Sequence, residues 1–508
     1  MLVVGDGPLG VEDVVRVARG RERVALSAGA VERMAASRVV VDRIVELETP
    51  VYGINTGFGE FTKIRIPHDE RERLQRNLVL SHCTGVGERL DEDVVRAIML
   101  LRVNSLAVGC SGIRPQTVQV LVELLNHDVY PVIPCKGSVG ASGDLAPLAH
   151  MTAVLLGEGY VVHEGREVAC APVLEAAGIS AVALAGKEGL ALINGTQVMC
   201  AIAALVCYDA GRVMKVADVA AALSLEALRG TRTAFHPGIA AIRPHKGQID
   251  TSENMLRLTA DSEIISSHVD CDKVQDAYSL RCVSQVHGAS KDALRRTLEA
   301  VDVEMNAVTD NPIVFADTGE ILSGGNFHGQ PIALVMDYLK IAIAELGNIS
   351  ERRINRLLDR HLSDLPAFLT AHPGVNSGFM ILQYTAASLV SENKVLCHPA
   401  SCDSIPTSAD QEDHVSMGTI AARQAREILD NVTYVLSAEL LAAAQGIDYL
   451  APMQAGVGCA AAHRQIRSIV PHLDNDRLLS PDILTVRHCI EDGSLLTAAE
   501  EAVGGLLV

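Results

Sequence analysis

The sequence predicts a mainly α protein: a long-helix bundle over residues 191–508, preceded by a smaller mixed N-terminal part over residues 1–190. Three observations lead there. The 508 residues are 48% hydrophobic and 21% charged, which is enough apolar material for a large core and too much for a disordered chain. That material is mostly Ala, Val, Leu and Ile. Aromatic residues make up 3% and Trp is absent, which suits close helix–helix packing better than a sheet sandwich. Third, Ala/Leu-rich stretches with helical spacing run over 190–230, 274–307, 330–362, 376–396 and 411–446, with Gly and Pro mostly at their joints.

Taken in order, the N-terminal part predicts a helix at 29–46, then a Gly-rich strand or loop, VYGINTGFGEF, at 51–61. Helical periodicity returns at 68–83 and 91–107. Pro131 and Pro134 then break the chain, and VVHEGREVACAPV within 151–187 predicts a small β excursion. Two runs lack Asp, Glu, Lys and Arg, from Gly189 to Tyr208 and from Leu365 to Ser391. Polar residues interrupt both, so they are read as buried core helices and joints, not membrane spans.

The net charge of −19 argues against a nucleic-acid surface, which needs clustered Lys and Arg. The one basic patch, ERRINRLLDR at 351–360, is interleaved with acids and is read as a solvated face or a subunit contact. Twelve cysteines show no CxxC pair and no metal-ligand spacing, the pattern of reduced cytoplasmic thiols with no metal site. The start, MLVVGDGPLG, does not read as a signal peptide.

The most informative stretch is GSVGASGDLAPLAH, residues 137–150. It fails the P-loop, Rossmann and nucleophile-elbow patterns in glycine spacing or at Asp144. A tight turn before a helix, with Asp144 as N-cap and Pro147 in the first turn, explains those two residues. It does not explain why both neighbours of Ser142 are minimal. In Ala-Ser-Gly the nitrogen of Gly143 can close a five-membered ring on the carbonyl carbon of Ala141, a bend that bulky residues resist. Loss of water then leaves a conjugated exocyclic alkene, an electrophile that no ordinary side chain supplies.

On this string the chain resembles the ammonia-lyases that build methylidene-imidazolone (MIO) from Ala141-Ser142-Gly143, and the likeness runs from about residue 5 to about residue 485. The resemblance implies the fold of that family, MIO formed autocatalytically with no dissociable cofactor, and a homotetramer whose active sites are shared between subunits. It is nearest to the histidine-acting branch and implies elimination of ammonia from L-histidine to give trans-urocanate, the opening of histidine degradation. A tyrosine or phenylalanine ammonia-lyase, or a 2,3-aminomutase of the same family, is the neighbouring alternative. A dead helical scaffold would break Ala-Ser-Gly, Tyr52, Tyr278 or Arg281, and all are intact; a fumarase-type lyase would need a loop that is absent.

The further motifs carry the implied roles. YGINTGFG (52–59) supplies Tyr52, the favoured base for the substrate β-proton, with Tyr278 as its partner. LQRNLVLSHCTGVGE (74–88) supplies His82 for holding substrate, with Cys83 where a small residue is expected. KEGLALINGTQ (187–197) supplies Asn194, a hydrogen bond near the electrophile or the substrate amine. In VQDAYSLRCVSQVHG (274–288), Gln275, Tyr278 and Arg281 step by three along one predicted helix face. A buried Tyr and Arg there need partners, and Arg281 has the fork for a substrate carboxylate. SGGNFHGQP (323–331) places Phe327 against the prosthetic group and leaves His328 without a firm role. DSIPTSADQEDHVSMG (403–418) predicts a helix start, with Asp410 and Asp413 as first-turn acids. Glu412 is the implied selector for an imidazole.

Overall fold

The long helices form. The computed structural model describes residues 1–46, 51, 53–54, 56, 66–67, 70–269 and 274–508. Helices run over Ala28–Glu46, Arg71–His82, Glu92–Ala107 and Gln197–Ala227, and further on over Val283–Met305, Gln330–Leu358, Met380–Leu396 and Gly418–Asp448. Among the described residues, strands occur only in short pairings. The antiparallel hairpin Tyr160–His163 with Arg166–Ala169 is the β excursion expected within 151–187, and Tyr130–Pro131 adds a third strand beside it.

Two compact units emerge. One gathers residues 1–208, 298–337 and 399–423, the other 209–297, 338–398 and 424–508. Compactness thus groups the chain differently from a sequence division at residue 190.

In the first unit, the helix Glu92–Ala107 is buried at every position from Val94 to Ala107. A helix buried all round must satisfy any charge it carries. Arg96 donates to the Val17 carbonyl (2.8 Å), the Leu125 carbonyl (3.1 Å) and Asp128 (2.9 Å). Arg102 is satisfied only in part: its Nη1 donates to the Asn194 carbonyl (2.7 Å) and Gln197 Oε1 (2.6 Å), while its Nε and Nη2 are buried without a partner.

The second unit buries a bidentate pair, Arg353 on Glu439 (2.5 and 2.8 Å), with Ser224 Oγ also donating to Glu439 (2.6 Å). This corrects the reading of 351–360 as a solvated face: Arg353 is fully buried, while its neighbour Arg352 is exposed. Asp218 is likewise buried, bound by Lys291 (2.6 Å), His287 Nδ1 (2.7 Å) and Asn254 (2.8 Å).

Three helix expectations shift, each for a local reason. The 274–307 helix begins as a single turn, Tyr278–Arg281, breaks at Cys282 and resumes at Val283. The run 365–391, read as buried core helix and joint, is not buried throughout: Phe368 and Leu369 take positive φ in the joint, and the helix Met380–Leu396 exposes Ile381, Tyr384 and Val395. The last long helix starts at Gly418, not 411, because Met417 takes φ of 55°, and the segment before it is turned by Ser408, Ala409 and Asp410 at φ of 53°, 53° and 64°. Left-handed residues cannot continue a right-handed helix. Asp410 and Asp413 therefore do not occupy a helix first turn.

The helix Gln197–Ala227 is long and apolar enough to cross a membrane, and 78% of its most apolar window is buried inside the protein. The eleven described cysteines are all free, and Cys271 lies outside the described residues.

Burial pushes the carboxyl of Glu226 up from its ordinary 4.5 to about 7, although the Gly456 N–H donates to it. The folded state holds this proton while the unfolded chain has released it. The stabilisation is therefore present below pH 4.5 and lost as pH rises through 7, up to about 3 kcal/mol. Glu226→Gln is neutral throughout. We expect its melting temperature relative to wild type to rise between pH 5 and pH 8; parallel melting curves across that range would remove Glu226 as the source.

Candidate active site

The short strand Pro134–Lys136 delivers the chain into the bare loop, and the helix Leu145–Leu155 takes it out. Between them Gly140, Ser142 and Gly143 take φ of 78°, 52° and 81°. A serine in the left-handed region is an uncommon conformation that its surroundings must enforce. Here they do. Gly195 N–H donates to the Ser142 carbonyl (3.2 Å), and Asp144 N–H donates to the Gly195 carbonyl (2.7 Å). A Cβ at Gly143 would overlap the Gly195 carbonyl, and one at Gly140 would overlap Ser416 Oγ. Ala141 packs with Val415 and Met417. The smallness of the stretch thus answers to close backbone approach on both sides.

Asp144 does not cap its own helix. Its carboxylate accepts from Val198 N–H (3.0 Å) and Met199 N–H (2.9 Å), the first turn of the Gln197 helix, where an anion meets the positive helix end. The other oxygen accepts from Ser138 Oγ (2.9 Å) and from Thr419 Oγ1. Burial raises the Asp144 carboxyl, and these donors oppose the rise. The expected N-cap role is therefore transferred from the helix that follows Asp144 to a different one.

Glu412 meets the loop directly. Ser142 Oγ donates to its Oε1 (3.2 Å), and Thr407 Oγ1 donates to its Oε2 (2.9 Å). Thr407 and Glu412 also pair through their backbones across the turn of left-handed residues. His82 ends the helix Arg71–His82, half-buried, with Nδ1 on the Leu78 carbonyl (2.7 Å). Burial lowers its pKa, opposed by the Leu78 bond and by the charge of Glu412. The ring is therefore neutral at pH 7. A carbonyl only accepts, so Nδ1 carries the hydrogen and Nε2 is a bare acceptor. Next to it, the Cys83 thiol is pushed up to about 11 by burial and lies 3.3 Å from the Val79 carbonyl, its hydrogen-bond acceptor.

Asn194 ends the helix Glu188–Ile193, almost fully buried. Arg102 holds its backbone carbonyl, while its side-chain Oδ1 has no partner. Phe327 lies half-buried in the turn before Gln330. His328 stacks on His414 with ring centroids 5.6 Å apart and planes 7° apart.

The sequence-predicted residues thus fall into groups. Ala141, Ser142, Gly143, Asn194 and Glu412 come together in the first unit, with His82 within electrostatic reach of Glu412. Gln275, Tyr278 and Arg281 belong to the second unit. Gln275 is exposed and precedes the helical turn, so the three do not share one helix face. Tyr278 is not buried as expected but 70% exposed, and the Arg281 guanidinium sits 4.5 Å from its ring centroid. Arg281 Nε is buried without a partner, beside a cavity of about 860 Å³ lined also by Arg232, His268 and Gln275. Tyr52 lies outside the described residues.

Sequence reasoning passed over Asp144 as a cross-link, Arg102 and Thr407. Asp144 follows the loop directly and lies within the quoted motif; the partners of Arg102, Asn194 and Gln197, are far off in sequence, whereas Thr407 stands five residues from Glu412 in one motif and is brought onto it only by a left-handed turn.

The residues present fit the prosthetic group that the Ala-Ser-Gly string implies. Ser142 is already held in a bend, Gly143 has no room for a side chain, and a buried, unpartnered Asn194 Oδ1 lies one residue from the Gly195–Ser142 bond.

Residues 9–468 match the family model for aromatic amino acid lyases, and the chain belongs to that family. It is 54% identical over 502 residues to a histidine ammonia-lyase of Alkaliphilus oremlandii, covering 99% of each chain. Among solved structures it resembles histidine ammonia-lyase from Trypanosoma cruzi (42% identity, TM-score 0.92, 99% of this chain and 95% of that one). It also resembles tyrosine aminomutase from Streptomyces globisporus (40% identity, TM-score 0.94, 99% of each).

Gly143→Ala places a methyl group against the Gly195 carbonyl and a side chain at positive φ. We expect the variant to keep its helical circular dichroism. Its intact mass should equal the translated sequence, without the loss of two waters. A variant that still loses both waters in full would show that the close approach is unimportant to the bend.

Proposed function

We propose that this chain is a histidine ammonia-lyase that eliminates ammonia from L-histidine to give trans-urocanate, the opening step of histidine degradation. The observation that carries the reading is Glu412: a carboxylate hydrogen-bonded to Ser142 of the Ala-Ser-Gly unit, with a neutral His82 in its electrostatic reach. Full-length relatives near 50% identity that bear this name support it.

Methylidene-imidazolone closed from Ala141, Ser142 and Gly143 supplies an electrophile when formed. Groups from the copies of the proposed assembly divide the work. His82 Nε2 accepts the N–H of the substrate imidazole, and Glu412 offers a second acceptor whose charge favours a cationic ring. Asn194 offers its free Oδ1 to the substrate amine. Phe327 walls the prosthetic group. Arg281 presents a guanidinium fork to the amino-acid carboxylate, Gln275 lies beside the same cavity, and Tyr278 shares the Arg281 stack. Tyr52 takes the β-proton. Donors near a site of developing negative charge are worth on the order of 10²–10³ in rate each.

The assembly we propose is a homotetramer with active sites shared between subunits. A groove of about 320 Å³ lined by Val286, Ala289, Tyr338 and Ile341, and the exposed Tyr384, give apolar surface for a further copy to cover. The proposed compartment is the cytoplasm, in keeping with free thiols at every described cysteine.

The test is a substrate panel of L-histidine, L-phenylalanine and L-tyrosine, following ammonia and the near-ultraviolet absorbance of the conjugated product. Urocanate from histidine alone supports the reading. Cinnamate or coumarate, or a β-amino acid without free ammonia, overturns the substrate or the reaction outcome respectively. Ser142→Ala should fold, keep its full translated mass and lose turnover. His82→Ala and Glu412→Gln should each cost about 10–100-fold in kcat/KM for histidine, the worth of a hydrogen bond involving charge, with the two-water mass loss intact.

A further inference from the structure

We infer that Thr407 is a positioning residue that fixes which oxygen of Glu412 faces the substrate. This rests on the histidine-directed role proposed for Glu412. A glutamate carboxylate turns on three side-chain torsions, and this one is only half-buried, so its orientation must come from its hydrogen bonds. Two hold it: Ser142 Oγ on Oε1 at 3.2 Å and Thr407 Oγ1 on Oε2 at 2.9 Å.

The first of these bonds cannot outlast closure of the Ala-Ser-Gly unit. Closure forms one bond, from the Gly143 nitrogen to the Ala141 carbonyl carbon, and releases two waters. One water takes the Ala141 carbonyl oxygen with the amide hydrogens of Ser142 and Gly143. The other takes the Ser142 hydroxyl with the Ser142 Cα hydrogen. The donor to Oε1 is therefore gone in the matured chain. Oε1 becomes bare on the side that faced Ser142, while Oε2 stays on Thr407.

Thr407 is itself well anchored. Its N–H donates to the Glu412 carbonyl (3.0 Å), and Glu412 N–H donates back to the Thr407 carbonyl (3.2 Å). The connection between them runs through three successive left-handed residues, Ser408, Ala409 and Asp410. One residue thus sets both the backbone register of Glu412 and the direction of its carboxylate. Valine at 407 keeps the shape and backbone pairing but removes the hydroxyl; serine keeps the hydroxyl.

The experiment compares wild type, Thr407→Val and Thr407→Ser by steady-state kinetics on L-histidine. Thr407→Val should raise KM about tenfold with kcat within about twofold, and Thr407→Ser should restore KM to within about twofold of wild type. A second readout needs no turnover: calorimetric binding of L-histidine to Ser142→Ala and to Ser142→Ala/Thr407→Val. Both lack the serine hydroxyl, so Thr407 alone separates them, and the double variant should bind about tenfold more weakly. Intact mass of Thr407→Val should still show the loss of two waters. Unchanged KM and unchanged affinity on removing the hydroxyl overturn the inference, as does a serine variant that behaves like the valine one. If wild type acts on histidine while these results hold, only the role of Thr407 falls. If wild type neither binds nor converts histidine, the proposed function falls with it.

Discussion

The first unit depends on one buried carboxylate. Asp144 is fully enclosed, and an enclosed charge is tolerable only when its lone pairs are taken up. It finds two hydroxyl donors, Ser138 and Thr419, and two backbone donors in the first turn of the Gln197 helix. Those four groups come from three separate stretches of sequence. The bare loop, the start of the Gln197 helix and the start of the Gly418 helix are thereby fastened to a single point. Breaking it would leave a charge stranded in the core, which makes the arrangement costly to distort.

Around that point, backbone conformation does what side chains elsewhere would do. Ser142 is bent by bonds to Gly195, and Gly195 is in turn hemmed by Arg102, Gln197 and Thr309. Arg102 spends its guanidinium on an amide and a carbonyl with no carboxylate bonded to it, and burial pulls its pKa down to about 10. On the other side, three left-handed residues turn the chain so that Glu412 comes back onto Ser142. Ring closure within a peptide has a large orientational requirement, and a loop already held bent meets part of it before any bond forms.

Much of this was legible in the sequence, and the exceptions have physical causes. Long helices such as Glu92–Ala107 and Gln330–Leu358 announce themselves because periodicity and Ala/Leu content act over many residues. The Ala-Ser-Gly string and Glu412 were legible because each sits in a long, specific motif. The sequence misplaces the helix start in the segment holding Glu412, since nothing in SADQED excludes a helix, and the left-handed turn there is held by the Thr407–Glu412 backbone pair and by Ser142 on Glu412. Asp144 reads as a cap from sequence because local pattern cannot reveal a partner some fifty-five residues away. Tyr278 and Arg281 read from sequence as one buried face with Gln275, but the helical turn starts only at Tyr278, after Gln275, and Tyr278 stands exposed. Arg353, read with its neighbours as surface, finds Glu439 in the core; a charge run says how a segment is composed, not which member turns inward.

The neighbour of His82 has a chemical consequence of its own. An electrophilic alkene is open to any soft nucleophile, and the most reactive one a protein owns is a thiolate. Cys83 places such a group one position from a residue proposed to touch substrate. Burial raises its pKa to about 11, well above the pH of any cell, and so keeps its proton on. Were the proposed electrophile to form within its reach, burial and the bond to the Val79 carbonyl would hold the thiol in its unreactive form, and a lysine or arginine arriving beside Cys83 by mutation would favour the thiolate.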